Sequence, residues 1–225
     1  NNDMAQIATM TTGAGVVTSI NLPYCPQYLL VNNSYAGTFD LTNIDVSING
    51  QSTVSLIGAD DIDAVGQIRS NTGGDTTGNE QLMMALELAD GQINAPTLIR
   101  LTNEGANTNA VYGVSSQVGT APYRYSQFTV NATSNQTFES FDSVLINSSP
   151  TNIDSIEIQW IDGFKDRYDP LELPALFRSL YAATNNSQFS EGTDIAWINN
   201  EDGNIANCTI YTNATGSATC TVGRI

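Results

Sequence analysis

A short unit occurs twice in this chain, and it limits the fold more than any other feature. Leu41-Thr42-Asn43-Ile44-Asp45-Val46-Ser47-Ile48-Asn49-Gly50 returns as Pro150-Thr151-Asn152-Ile153-Asp154-Ser155-Ile156-Glu157-Ile158, followed after a small displacement by Asp162-Gly163. Each copy reads as a strand, a tight turn and then a short helical segment. A tetrapeptide match means little in a chain rich in Thr, Asn and Ile, so the parts that follow carry the argument. Behind Asn49-Gly50 stand Asp60 and Asp61 and the apolar series Ile62, Val65, Ile68, one helix face behind acidic residues that suit its N-terminus. Behind Asp162-Gly163 stand Asp169-Pro170 and then Pro174, Leu176, Phe177, Leu180 and Tyr181, again one apolar face, with proline tolerated in the first turn. Order and spacing are kept while residues differ, which points to one β-rich module used twice.

The rest of the chain is written in strand language: Val, Ile, Thr and Tyr runs broken every ten residues or so by Gly, Asn, Asp or Pro. The spacing predicts strands over Val16 to Leu22, Tyr28 to Val31, Ile44 to Ile48, Gln81 to Leu88, Thr97 to Thr102 and Ala110 to Val114. A second set covers Phe128 to Val130, Phe138 to Ile146, Ile153 to Ile161, Asp194 to Ile198, Ile205 to Tyr211 and Ser217 to Val222. Many short strands at this spacing read as sandwich, jelly roll or barrel. With 225 residues, one large β domain or two of about 100 residues each can bury a core. Gly119-Thr120-Ala121-Pro122 is the boundary between halves that the composition offers, dividing the chain into 1–122 and 123–225. Trp160, Phe164, Phe177, Tyr181 and Trp197 are expected in core and inter-barrel packing, Trp160 facing inward only if a bulge bends its strand.

Charge narrows the partners. Twenty-three acidic residues oppose seven basic ones, Lys165 is the only lysine, and the formal net charge is -16. Such a surface repels phosphates, so direct binding to nucleic acid or anionic lipid is not expected. It fits an acidic protein in general and one adapted to a saline, halophilic setting in particular, where the Debye length falls to about 3 Å at molar salt. No apolar run reaches the roughly 18 residues of a spanning helix, so no membrane insertion is expected. The chain does not begin with Met, which suggests a processed start, and its N-terminus shows no leader of the secretory kind.

Chemistry is scarce. With no histidine, Ser-His-Asp and Cys-His sites and histidine metal sites are excluded. A carboxylate pair among Asp154, Glu157, Asp162 and Asp166 would be needed for glycoside hydrolysis, but Glu157 falls on the opposite strand face from Ile156 and Ile158, and a solvated face explains it better. Gly73-Gly74 lacks the Gly-Lys-Ser/Thr of a phosphate loop, and Asp75-Thr76-Thr77-Gly78 breaks the aspartic protease pattern with an extra Thr. Asp60-Asp61-Ile62-Asp63 reads as a helix N-terminus before it reads as a calcium site. No catalytic, cofactor-binding or metal-binding residue is therefore assigned, and no enzyme is expected. Cys208 and Cys220 flank Asn213-Ala214-Thr215-Gly216, a hairpin turn by composition, and read as two small buried thiols more readily than as a cross-strand disulfide. Seven Asn-x-Ser/Thr triplets, at Asn32, Asn131, Asn135, Asn147, Asn185, Asn207 and Asn213, are mostly compositional.

Ser19-Ile20-Asn21-Leu22-Pro23, the Ile44 to Gly50 strand and turn, Val118-Gly119-Thr120-Ala121-Pro122, and Ile153 to Tyr181 with Asp162-Gly163 together resemble, in the same order, the major capsid protein of corticoviruses. These are marine icosahedral bacteriophages with an internal membrane. The resemblance implies an all-β fold of two eight-stranded jelly rolls in tandem with short helices in loops. It further implies a homotrimer that forms a pseudo-hexameric capsomer, contacts neighbouring capsomers and other virion proteins, and tiles a shell over the viral membrane. Calcium or another divalent ion between acidic surfaces is compatible with it, with no ligand residues named. Two other readings fit the residues: a single jelly-roll capsid protein of a haloarchaeal virus that pairs with a second protein, and a secreted carbohydrate-binding or adhesion β-domain. Under the capsid reading, Gly58 to Ser70 and Pro170 to Ala183 are the expected inter-subunit contacts.

Overall fold

The computed structural model describes residues 3–33, 41–58, 82–105, 109–115, 119, 121–169, 172, 194–200 and 202–224. They form two compact units, residues 1–126 with Ile225 and residues 127–224. Sixteen strands are described. The first eight are β1 (Asp3–Thr9), β2 (Val17–Leu22), β3 (Tyr28–Asn33), β4 (Leu41–Ile48), β5 (Gln51–Ile57), β6 (Leu82–Glu87), β7 (Thr97–Asn103) and β8 (Ala110–Ser115). The second eight are β9 (Arg124–Val130), β10 (Asn135–Glu139), β11 (Ser143–Asn147), β12 (Ile153–Trp160), β13 (Lys165–Tyr168), β14 (Asp194–Asn199), β15 (Ile205–Thr212) and β16 (Ala218–Arg224).

The pairing obeys one rule in both sets. In the first, β1 lies beside β8, β2 beside β7, β3 beside β6 and β4 beside β5, giving strand orders β1-β8-β3-β6 and β5-β4-β7-β2. In the second, β9 lies beside β16, β10 beside β15, β11 beside β14 and β12 beside β13, giving orders β14-β11-β16-β9 and β10-β15-β12-β13. First pairs with last and fourth with fifth, as when one long hairpin is wound over a sandwich: this is the eight-stranded jelly roll, and the chain has it twice. The apex of each wound hairpin is the turn after the fourth strand. Both copies of the sequence repeat fall there, Leu41 to Gly50 on β4 and its turn, Pro150 to Ile158 on β12 and the residues before it.

Alternation explains the layers. Along β4, Ile44, Val46 and Ile48 are buried while Asn43, Asp45 and Ser47 are half-buried, and β7 buries Thr97, Ile99, Leu101 and Asn103. In the second unit one apolar cluster draws from both sheets: Val144, Ile146, Cys220 and Val222 from one, Phe138, Ile156, Ile158, Cys208 and Ile210 from the other. The first apex closes with two residues, Asn49 at φ 51° and Gly50 at φ 75°, the left-handed pair that a tight hairpin needs.

Several expectations change. The helical segments do not directly follow the turns, because β5 and β13 come first; the stretches expected to be helical, Gly58 to Ser70 and Pro170 to Ala183, fall almost wholly outside the described residues. Before the second, Asp169 and Glu172 exchange hydrogen bonds of 3.0 and 3.1 Å between backbone N–H and side-chain carboxylate, the reciprocal pattern of a capping box. The run from Phe138 to Ile146 is two strands, broken at Ser140 with φ 52°. Cys208 and Cys220 do not face each other across a hairpin: β15 and β16 belong to different sheets, so the turn between them crosses the sandwich. Both residues, and Cys25, are buried thiols that form no disulfide among the described residues. The bulge expected at Trp160 is present as a register shift between Gln159 and Trp160, and it turns the indole partly onto the core.

Candidate interaction surface

The second apex differs from the first in length and in what it exposes. Ile156 and Ile158 point into the core, which leaves Glu157 on the outer face opposite Arg167 in the β12–β13 pairing. There the Lys165 Nζ donates to Glu157 at 2.9 Å and the Arg167 guanidinium to Asp154 at 3.1 Å. Arg167 also donates to the Ser155 Oγ at 2.8 Å and lies 4.9 Å from the Tyr211 ring centroid. The Trp160 Nε1 donates to Asp166 at 2.6 Å, and Asp162 accepts the Phe164 N–H at 3.1 Å, fixing the turn. Solvent screens exposed pairs of this kind, so they order the hairpin more than they stabilise the fold.

All four carboxylates considered from the sequence are thus used in holding this hairpin, each by a different partner, and they do not converge on one point. The bond to Glu157 and its charge raise the Lys165 pKa, which keeps the cation charged. Partial burial, and then Asp166, raise that of Tyr168. Burial pushes the Cys208 thiol up to about 12 and the Cys25 thiol to about 11, so neither is a nucleophile near neutrality. Phe164 is not a core residue: it is 72% exposed and Ile161 is 68% exposed at the tip. The charged run that forms β13 gave no apolar signal by which the sequence could have placed an apolar tip beside it. Phe177, Tyr181, Asn185, the stretch Asp60 to Asp63 and the stretch Gly73 to Gly78 lie outside the described residues, as does the side chain of Trp197.

Each end of the second unit is bound together by its loops. At one end the Thr133 N–H donates to the Asn213 carbonyl at 2.8 Å, the Asn213 N–H to that of Asn152 at 3.0 Å, and the Asn152 Nδ2 to that of Ser217 at 3.1 Å. At the other, the Asn200 N–H donates to the Asp142 carbonyl at 2.7 Å and the Ile161 N–H to that of Asn204 at 3.0 Å. The first end is Asn, Ser and Thr-rich; the second carries Ile161 and Phe164.

No protein-family model and no curated protein matches the chain. Solved structures do. The major capsid protein P2 of bacteriophage PM2 aligns with TM-score 0.67 at 13% identity, over 99% of this chain and 96% of that one. The STIV major capsid protein gives TM-score 0.67 at 10% identity, over 99% and 95%. The PBCV-1 virus capsid gives 0.57 at 10% identity, over 100% and 93%. At these identities the likeness establishes a shared fold: the tandem jelly roll of those capsid proteins.

Proposed function

We propose that this chain is a major capsid protein, a structural and non-enzymatic part of the virion. The observation that carries the reading is the doubled winding: two eight-stranded rolls with the same strand order, and the one sequence repeat at the same apex of each. Rolls over 1–122 and 123–225 give each chain two similar lobes. Three chains then offer six lobes, and a near-hexagonal block tiles a closed shell through side contacts. The partners are other copies, neighbouring capsomers and other virion proteins, with the shell standing over an internal membrane. Gly58 to Ser70 and Pro170 to Ala183, the stretches that follow β5 and β13 in the sequence, are the proposed inter-subunit contacts. Sixteen strands in two windings do not fit the single-roll alternative. Electron microscopy of the purified chain in molar salt tests the reading: flat particles with six lobes support it, and single two-lobed particles under every condition refute it.

A further inference from the structure

Among the Asn-x-Ser/Thr triplets whose residues are described, the fold has put most out of use. The Asn207 Nδ2 donates to the Gln159 Oε1 at 2.9 Å, on the face of the sheet. The Asn213 Nδ2 donates to the Thr151 carbonyl, while its Oδ1 accepts the Thr215 N–H at 2.8 Å. In the Asn135 triplet the Thr137 hydroxyl is shared with that of Thr209 at 2.9 Å. Asn131-Ala132-Thr133 is different. All three residues are exposed, and among the described residues neither the Asn131 amide nor the Thr133 hydroxyl has a hydrogen-bond partner. The backbone alone is held, by Thr212, whose Oγ1 donates to the Asn131 carbonyl, and by the Thr133 N–H on Asn213.

Thr133 also sits at φ 57°. A β-branched residue is strained in that left-handed region, where Gly or Asn is tolerated far better. A strained residue at an exposed loop calls for a reason outside packing. The hydroxyl that completes the triplet supplies one, since Gly or Asn at 133 would remove the acceptor motif.

We propose that Asn131 is an N-glycosylation site. The donor is a lipid-linked oligosaccharide presented by a membrane-bound transferase. The Asn131 Nδ2 forms a bond to the anomeric carbon, the carbon–oxygen bond to the lipid diphosphate breaks, and the diphosphate leaves with the electron pair. The amide proton passes to a base of the transferase, and nothing is oxidised or reduced. The polar end of the second unit then carries a glycan, whereas the apex end with Ile161 and Phe164 stays bare. This site does not depend on the capsid reading.

The test is to express the full chain through the secretory membrane of a glycosylating cell and cleave it after Arg124 and Glu139. The peptide Tyr125 to Glu139 should carry an oligosaccharide, localised to Asn131 by fragmentation, and amidase release should leave Asp at 131. Thr133→Ser should keep the glycan, and Thr133→Gly should lose it while the folded chain melts no lower than the parent. A peptide unmodified at Asn131, or a glycan found at Asn207 or Asn213 in its place, would overturn the proposal. Asn131→Gln guards against misfolding as the cause: it must lose the glycan with an unchanged melt.

Discussion

Replacing Ile158 by Ala should cost the second unit much of its stability, while replacing Phe164 six residues away should cost almost nothing. Ile158 is fully buried on β12, opposite Cys208 on one side and Asp166 on the other, within the cluster fed by both sheets. Truncation removes three carbons, a transfer loss of about 2.5 kcal/mol at ~0.8 kcal/mol each. The cavity left between two sheets adds to this, and Ile→Ala changes in cores total about 2–5 kcal/mol. For a unit of about 100 residues, each kcal/mol moves Tm by about 4–8 °C, so ~3 kcal/mol lowers it by roughly 12–24 °C. Phe164→Ala, at a position 72% exposed, should stay within about 0.5 kcal/mol. Calorimetry of both variants, with a urea titration to confirm that m is unchanged, reads the difference. If the parent melts in two steps, Ile158→Ala should move one of them only. Equal losses from the two variants would refute the sandwich assignment of β12 and its turn.

Three further outcomes follow from the same structure. Gly119→Ala should sharply reduce folded yield, because a Cβ there would stand 1.6 Å from the Asp90 carbonyl oxygen, a backbone atom that cannot yield cheaply; recovery and Tm measure it. The buried thiols of Cys208 and Cys25 have pKa values raised from 9.0 to about 12 and about 11. Above pH 9 the unfolded chain therefore loses thiol protons that the folded chain keeps, so stability is full below about pH 9 and falls as pH rises through 11 to 12; Cys208→Ala should flatten that fall in denaturant midpoints taken across the range. Asn200→Ala should destabilise by about 1–3 kcal/mol, since its side chain accepts the Ile205 N–H at 2.7 Å and donates to the Phe141 and Ile205 carbonyls at 3.0 Å, and loss of these leaves part-buried groups unpaired.

The strands that sequence reasoning found are those whose burial is written as alternation or as β-branched runs, β4 and β7 above all. It missed β13, Lys-Asp-Arg-Tyr, because a charged edge strand has no apolar signature and is a strand only through its pairing with β12. It missed β1, whose described side chains are exposed or half-buried, and took the approach to β5 for the approach to a helix. The supposed Cys208 to Cys220 hairpin failed for a topological reason: a turn between strands of different sheets looks locally like one between neighbours. The exposed apolar tip was less legible still. Phe164 read as core from its type alone, and its exposure depends on the turn projecting past the strands that pair beneath it. The repeat at the two apexes was the one long-range fact the chain displayed in one dimension.

Under the proposed function, chains of two lobes are expected to assemble in threes. The most direct measurement is particle mass by light scattering across a salt titration, since a chain of net charge -16 repels its copies least when the Debye length is short. The expected result is a species of about three times 24.0 kDa in molar salt that dissociates as salt is withdrawn. A single 24.0 kDa species at every salt concentration would contradict it.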